Sequence, residues 1–307
     1  MKFGKVPEQE LDSINLSLPP EPPGNRLVLP GRPMAGPRVY IGCANRGVKE
    51  WIGKLYPKGT KDAGYLDQYV KHFNSIEFNA THYQIYDEET IGRWAAKAAG
   101  HDFLFCPKLP QSISHYSGFG PAAQEQTNAF FRGILAFGQH LGPVFIQVSE
   151  RYSPQTGRQL FQYLETLPTD LTFFLEVRHP DWFVDGPARK DLFDTLRRLK
   201  IGAVITDVAG RRDCAHMELT IPKAFIRYVG NSMHPTDAPR MDAWVERMKY
   251  WLDNGLEEIY YFMHTKDEIL APEMISYLVD RMNPAFGMQL EKPIFIQRDE
   301  GAQISLF

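Results

Sequence analysis

From Arg38 onward, short apolar runs alternate with amphipathic stretches, and the alternation repeats eight times. The runs fall at 39–44, 75–80, 103–108, 143–148, 171–178, 201–207, 224–230 and 258–265. Bulky, β-branched and aromatic side chains dominate them, as suits strands buried on both faces. The intervening stretches carry helical periodicity. Over 62–73, for example, Tyr65, Leu66, Tyr69, Val70 and Phe73 share one face. Eight strand–helix units in this order predict an α/β protein with a (β/α)8 TIM-like barrel. The chain has 307 residues, an ordinary length for a one-domain barrel. An open doubly wound sheet competes, and it usually places a glycine-rich dinucleotide turn after the first strand. Here that turn reads GCANRG, with the wrong glycine spacing and no helix starting at once. The link 208–222 is the least helical of the connections.

The ends do not follow the repeat. Residues 1–37 hold Pro19, Pro20, Pro22, Pro23, Pro30, Pro33 and Pro37 and few large apolar residues. This composition favours extended backbone, read here as an N-terminal arm: a strap over the barrel, a disordered leader or a binding arm. The barrel is assigned to 38–282, and 283–307 to a C-terminal strap and tail. The formal net charge of -3 provides no global basic field, so nucleic acid would need a local patch. Three cysteines, Cys43, Cys106 and Cys214, point to reduced thiols and a cytoplasmic setting. Cys43 and Cys106 read as small apolar fillers. No apolar run is long enough to span a membrane, and the start of the chain lacks an apolar signal core.

The stretch LTFFLEVRHPDWF, 171–183, begins as a buried strand and ends in charge. Charges at the end of an apolar strand are costly unless they pair or serve a site, and parallel α/β folds build sites at strand carboxyl ends. The candidates by this rule are Glu77 and Asn79 on the second strand, Lys108 on the third and Gln147 on the fourth. The fifth adds Glu176, Arg178 and His179, the sixth Asp207, the seventh Arg227 and the eighth His264. Glu77, Glu176, Asp207 and His179 are the candidate acids and bases, because a carboxylate pair can divide those roles when one pKa is raised. Lys108, Arg178 and Arg227 suit an anion such as phosphate. Each has a structural alternative: a Glu176–Arg178 ion pair, a satisfied polar core around Glu77 and Asn79, a hydrogen-bonding Gln147, or a His179 that caps a turn. Trp51, Tyr56, Tyr83, Tyr116, Trp182 and Tyr228 lie near the expected rim, where rings stack on a base or sugar or simply pack. A divalent metal held by Glu, Asp and His from several strands fits the residue types, although no short ligand spacing signals it.

The strings SIEFNATHY, FCPKLPQSISH, GPVFIQ and LEVRHPDWF resemble the YecE-like family, domain of unknown function seventy-two, in family order from about Val39 to Leu278. The resemblance implies a TIM-like barrel and no settled activity. Three departures stand out. Asn45-Arg46 replaces a common Trp, Val229 stands at a usual His, and Met263-His264 replaces an Asn-Asn pair.

The last five residues, Gln303-Ile304-Ser305-Leu306-Phe307, resemble the pentapeptide by which bacterial repair and replication proteins dock on the sliding clamp. Leu306 and Phe307 would fill an apolar pocket and Gln303 would bond at its edge. Together these features predict a hydrolase acting on a phosphorylated or nucleic-acid ligand, an anionic small molecule included. The alternatives are a non-catalytic binding or adaptor barrel, and a sugar- or metabolite-active barrel unrelated to DNA.

Overall fold

The structure, a computed structural model, describes residues 3–266 and 268–296. Its centre is a ring of eight parallel strands: β1 (Arg38–Cys43), β2 (Ser75–Phe78), β3 (Leu104–Pro107), β4 (Val144–Gln147), β5 (Phe173–Glu176), β6 (Gly202–Asp207), β7 (Lys223–Val229) and β8 (Glu258–His264). The hydrogen-bonded order is β3-β2-β1-β8-β7-β6-β5-β4. The remaining joint, β3 to β4, is held by two isolated parallel bridges, Phe105↔Leu141 and Lys108↔Phe145. Those eight strands are the eight apolar runs, with bounds that differ by at most two residues at either end.

Around them lie α1 (Tyr65–Tyr69), α2 (Ala80–Tyr83), α3 (Glu88–Lys97), α4 (Pro121–Leu135), α5 (Gly157–Leu164), α6 (Pro187–Leu199), α7 (Asp237–Asp253) and α8 (Ala271–Phe286). Their start signals are local. The Asp87 side chain accepts from the Thr90 amide ahead of α3, and α4, α6 and α8 carry Pro in their first turn. The short α2 sits directly after β2, inside what the sequence presents as strand and loop.

No α-helix joins β6 to β7; a single 3-10 turn, Arg212–Cys214, stands there. The N-terminal segment lies against this gap. Asn25 donates to the Met217 carbonyl (2.9 Å) and accepts from the Leu219 amide (2.7 Å). Arg247 of α7 donates to the Pro19 carbonyl (2.8 Å), and Trp251 donates to Glu21 (2.9 Å). Gly24 approaches Arg197 of α6 so closely that a β-carbon would lie 2.4 Å from the guanidinium. The segment thus fills the outer-layer slot between α6 and α7.

Side chains alternate along each strand, outward into the helical layer and inward into the ring. Inside, Tyr40, Cys106, Phe145, Phe174, Val204, Phe225, Tyr260 and Phe262 form a dry plug. The Tyr40 and Tyr260 rings stack at 5.1 Å, as do Phe145 and Phe225 at 5.3 Å. Burying each such ring contributes roughly 1.5–3 kcal/mol. On β4 to β7 the plug leaves the next inward position, toward the carboxyl ends, to the polar side chains of Gln147, Glu176, Thr206 and Arg227. All three cysteines are buried free thiols. Among the described residues no helix is long and apolar enough to cross a membrane.

Candidate functional site

Period-two alternation above the plug brings inward-facing charges from four strands to one level. Arg227 of β7 is their hub and is 1% exposed. It donates to both Glu77 oxygens (2.8 and 3.0 Å) and to both Glu176 oxygens (3.0 and 3.2 Å). Arg178 Nε donates to Glu176 Oε1 at 2.9 Å, and the Thr206 hydroxyl donates to the same oxygen at 3.0 Å. Asn79 donates to Glu77 Oε1 (3.0 Å), and His264 Nε2 lies 3.1 Å from Glu77 Oε2. Lys108 donates to Gln147 Oε1 at 2.9 Å, with its ammonium 5.4 Å from the Phe145 ring centre.

The electrostatics follow from this wiring. Burial alone would raise the Glu77 carboxyl; Arg227 and His264 outweigh it and hold the group well below the usual range. Burial acts likewise on Glu176 and is outweighed by Arg178, Arg227 and Lys108, which lower it. Both carboxylates are therefore ionised, and they balance the two guanidiniums. The third cation has no carboxylate partner among the described residues. Burial, with Arg227 adding repulsion, pushes the Lys108 amine down to about 7.

The ten strand-end candidates and rim residue Tyr83 thus sort clearly. Glu77, Asn79, Lys108, Gln147, Glu176, Arg178, Arg227 and His264 meet in one network. Asp207 corrects the strand-end rule: Thr206 points inward, so Asp207 points outward, toward α7. There it accepts from the Trp244 indole (2.7 Å), pairs with Arg240 (3.0 Å) and with Arg212. His179 stands apart too, accepting from the Asp181 amide at 3.3 Å as the cap of the turn Pro180–Trp182. Tyr83 is a rim residue, 73% exposed. Of the other rings, Trp51, Tyr56, Trp182 and Tyr228 are buried in the helical layer, while Tyr116 is exposed. The expectation of one carboxylate with a raised pKa fails for Glu77 and Glu176, because one arginine clamps both.

Several residues at the mouth were missed by the strand-end rule. Counting by twos from Val204 would have found Thr206 and excluded Asp207. His82 and His115 sit beside Lys108 within the quoted SIEFNATHY and FCPKLPQSISH strings; burial, then the Lys108 charge, holds each down to about 4. Glu268, at φ +63, lies 3.9 Å from His264, and burial raises its carboxyl. Phe3 packs its ring over Arg178 at 4.2 Å and faces Arg211 at 5.0 Å. Neither Glu268 nor Phe3 carries a local sequence signal. Among the described residues no group of three or more His, Cys, Asp or Glu side chains is arranged to hold a metal ion. Gln303, Leu306 and Phe307 lie outside the described residues.

A closed parallel ring with a charged cluster at its strand carboxyl ends defines a TIM-type barrel with its polar centre in the customary position. Residues 40–295 match the family model "Protein of unknown function DUF72", and the chain belongs to that family. It is 27% identical over 258 residues to the UPF0759 protein YecE of Escherichia coli strain K12, an alignment covering 78% of this chain and 91% of that one. The crystal structure of a DUF72 family protein from Enterococcus faecalis V583 shares the fold, with a TM-score of 0.64 at 14% identity, covering 85% of this chain and 100% of the other.

Proposed function

We propose that the mouth binds an anionic, phosphorylated ligand and that Lys108 supplies the attractive charge. The observation that carries this reading is the surplus cation: two carboxylates offset Arg178 and Arg227, while among the described residues the Lys108 ammonium meets the neutral Gln147 amide and the Phe145 ring and no carboxylate. A phosphate oxygen near Lys108 would relieve the desolvated charge. In a hydrolytic reaction, an amine with a pKa near neutrality can pass a proton to a leaving oxygen or take one from water. Glu77 and Glu176 act as positioning residues in this reading. Their locked, ionised state speaks against the paired acid–base chemistry of a sugar-active barrel. Calorimetric titration with inorganic phosphate, pyrophosphate and phosphomonoesters tests the reading. Binding at pH 6.5 that weakens at pH 8.5 and is lost in Lys108→Met is expected; no binding by the wild type ends it. If binding occurs without turnover of phosphomonoesters or phosphodiesters, the barrel is a binding module.

The tail supports a second reading, docking on a bacterial sliding clamp. Past α8 the chain carries no helix or strand over 288–296, and Ile294, Phe295 and Ile296 are exposed there. The pentapeptide follows this extended lead. Purified clamp should retain the full chain on a column and fail to retain one lacking Leu306 and Phe307. Equal retention of the two would sink the idea.

A further inference from the structure

Four rings run in an unbroken row along the β2/β3 edge of the mouth. Tyr83 and His82 lie 5.3 Å apart between ring centres, His82 and His115 5.2 Å, and His115 and Tyr116 6.5 Å. Each contact is edge-to-face, at 63–72°. The row is anchored beside the surplus cation. His82 Nδ1 hydrogen-bonds the carbonyl of Leu109 at 2.9 Å, and Thr81 donates to the carbonyl of Lys108 itself at 2.8 Å. The Ser114 hydroxyl, 2.8 Å from His115 Nδ1, fixes the third ring. Both histidines are neutral at physiological pH, so the row carries no charge of its own.

The outer two rings are unusually open. Tyr83 is 73% and Tyr116 76% exposed, whereas the next most exposed aromatic residue on the described chain, Tyr250, reaches 45%. Exposing two tyrosine rings along one edge of a mouth forfeits burial that a polar residue would not need. Rings left open beside a cationic pocket match one ligand chemistry well: a phosphate joined to a flat heterocycle, with the phosphate drawn to charge and the base to a π face.

We propose that Tyr83 and Tyr116 form a stacking platform and that the ligand of the mouth is a nucleotide, free or within a single strand. This deepens the reading of the mouth as a phosphate site and rests on it. The phosphate lies toward Lys108, and the base lies against the tyrosine faces. Specificity between bases is weak in such a site, because every base offers a π face.

The test compares adenosine 5′-monophosphate, ribose 5-phosphate, inorganic phosphate and a short oligothymidylate by calorimetry. The wild type should bind the nucleotide roughly ten-fold or more tighter than ribose 5-phosphate, in line with the usual worth of stacking. Tyr83→Ala and Tyr116→Ala should erase that preference and leave ribose 5-phosphate affinity unchanged, while Tyr83→Phe keeps it. Both positions are exposed, so neither change threatens the fold. Equal affinity for nucleotide and ribose 5-phosphate in the wild type overturns the platform and leaves the phosphate site standing. Loss of both ligands alike in the alanine variants also overturns it. Failure of every phosphorylated compound overturns the phosphate site and the platform together. Tighter binding of the oligonucleotide than of the mononucleotide assigns the platform to a single strand, and the reverse assigns it to free nucleotides.

Discussion

Lys108 is a buried cation beside another buried cation, and that placement has a measurable cost. Its amine falls from 10.5 to about 7, chiefly through burial. Below pH 7 the side chain is charged in both the folded and unfolded states, and the cost of burying that charge weighs fully against folding. Between about 7 and 10.5 the unfolded chain binds more protons than the folded one, so stability climbs with pH across that window and then levels. Lys108→Met should be more stable than the wild type at pH 6 by a few kcal/mol, with the two converging above pH 10. Urea titrations at a series of pH values check this. Parallel stability curves would mean that Lys108 titrates near its ordinary value. Arg227 is the opposite case, a charge the fold cannot lose. Arg227→Leu leaves two carboxylates facing each other in a dry ring and should cost about 3–5 kcal/mol, read as a lowered midpoint in the same titrations.

The strands and helices show where sequence reasoning succeeds and where it stops. Asp207 ties β6 to α7 through the Trp244 indole and Arg240, and burial is outweighed by Arg240 and Arg212 in keeping it ionised. Asp207→Asn should lower stability by about 3–5 kcal/mol and leave phosphate affinity at the mouth unchanged. A parallel loss of affinity would place Asp207 in the site after all. The eight strands were legible because apolar runs of this length, spaced by helical stretches, have one economical closure. The network was legible in outline because charges at strand ends need partners. Which strand-end residues face inward was not, since it depends on register, and an error of one residue exchanges Thr206 for Asp207. The short α2 was hidden because Ala80 reads as the end of β2 and the three residues after it are too few to show a helical period. His82, His115 and Glu268 escaped because they come from the short α2, a single helical turn at Ser112–Tyr116 and the connection after β8, whose paths are set by packing rather than by a repeating pattern.

The whole molecule is shaped by its beginning. Phe3 stacks over Arg178, the Gly4 carbonyl accepts from the Gly210 amide at 2.8 Å, and Lys5 reaches the Lys266 carbonyl at 3.3 Å. The segment then descends the outside of the barrel between α6 and α7. The same stretch of chain therefore closes the outer layer and covers part of the mouth. Phe3→Ala should speed association with a phosphorylated ligand several-fold while costing about 3–5 kcal/mol of stability, measured by stopped-flow mixing and by denaturation. An unchanged association rate would mean that ligands enter past the Tyr83 and Tyr116 side instead.

Seven joints of the ring are ladders, while β3 and β4 touch through two bridges only. A hoop fastened so unevenly parts first at its clasp. The amides of Gly142 and Leu109, which bond across that gap at 2.8 and 2.9 Å, should therefore exchange with deuterium sooner than those of β7 or β8. Lys108 and Gln147 stand on opposite lips of the clasp, so whatever grips both would act as a rivet and slow that exchange.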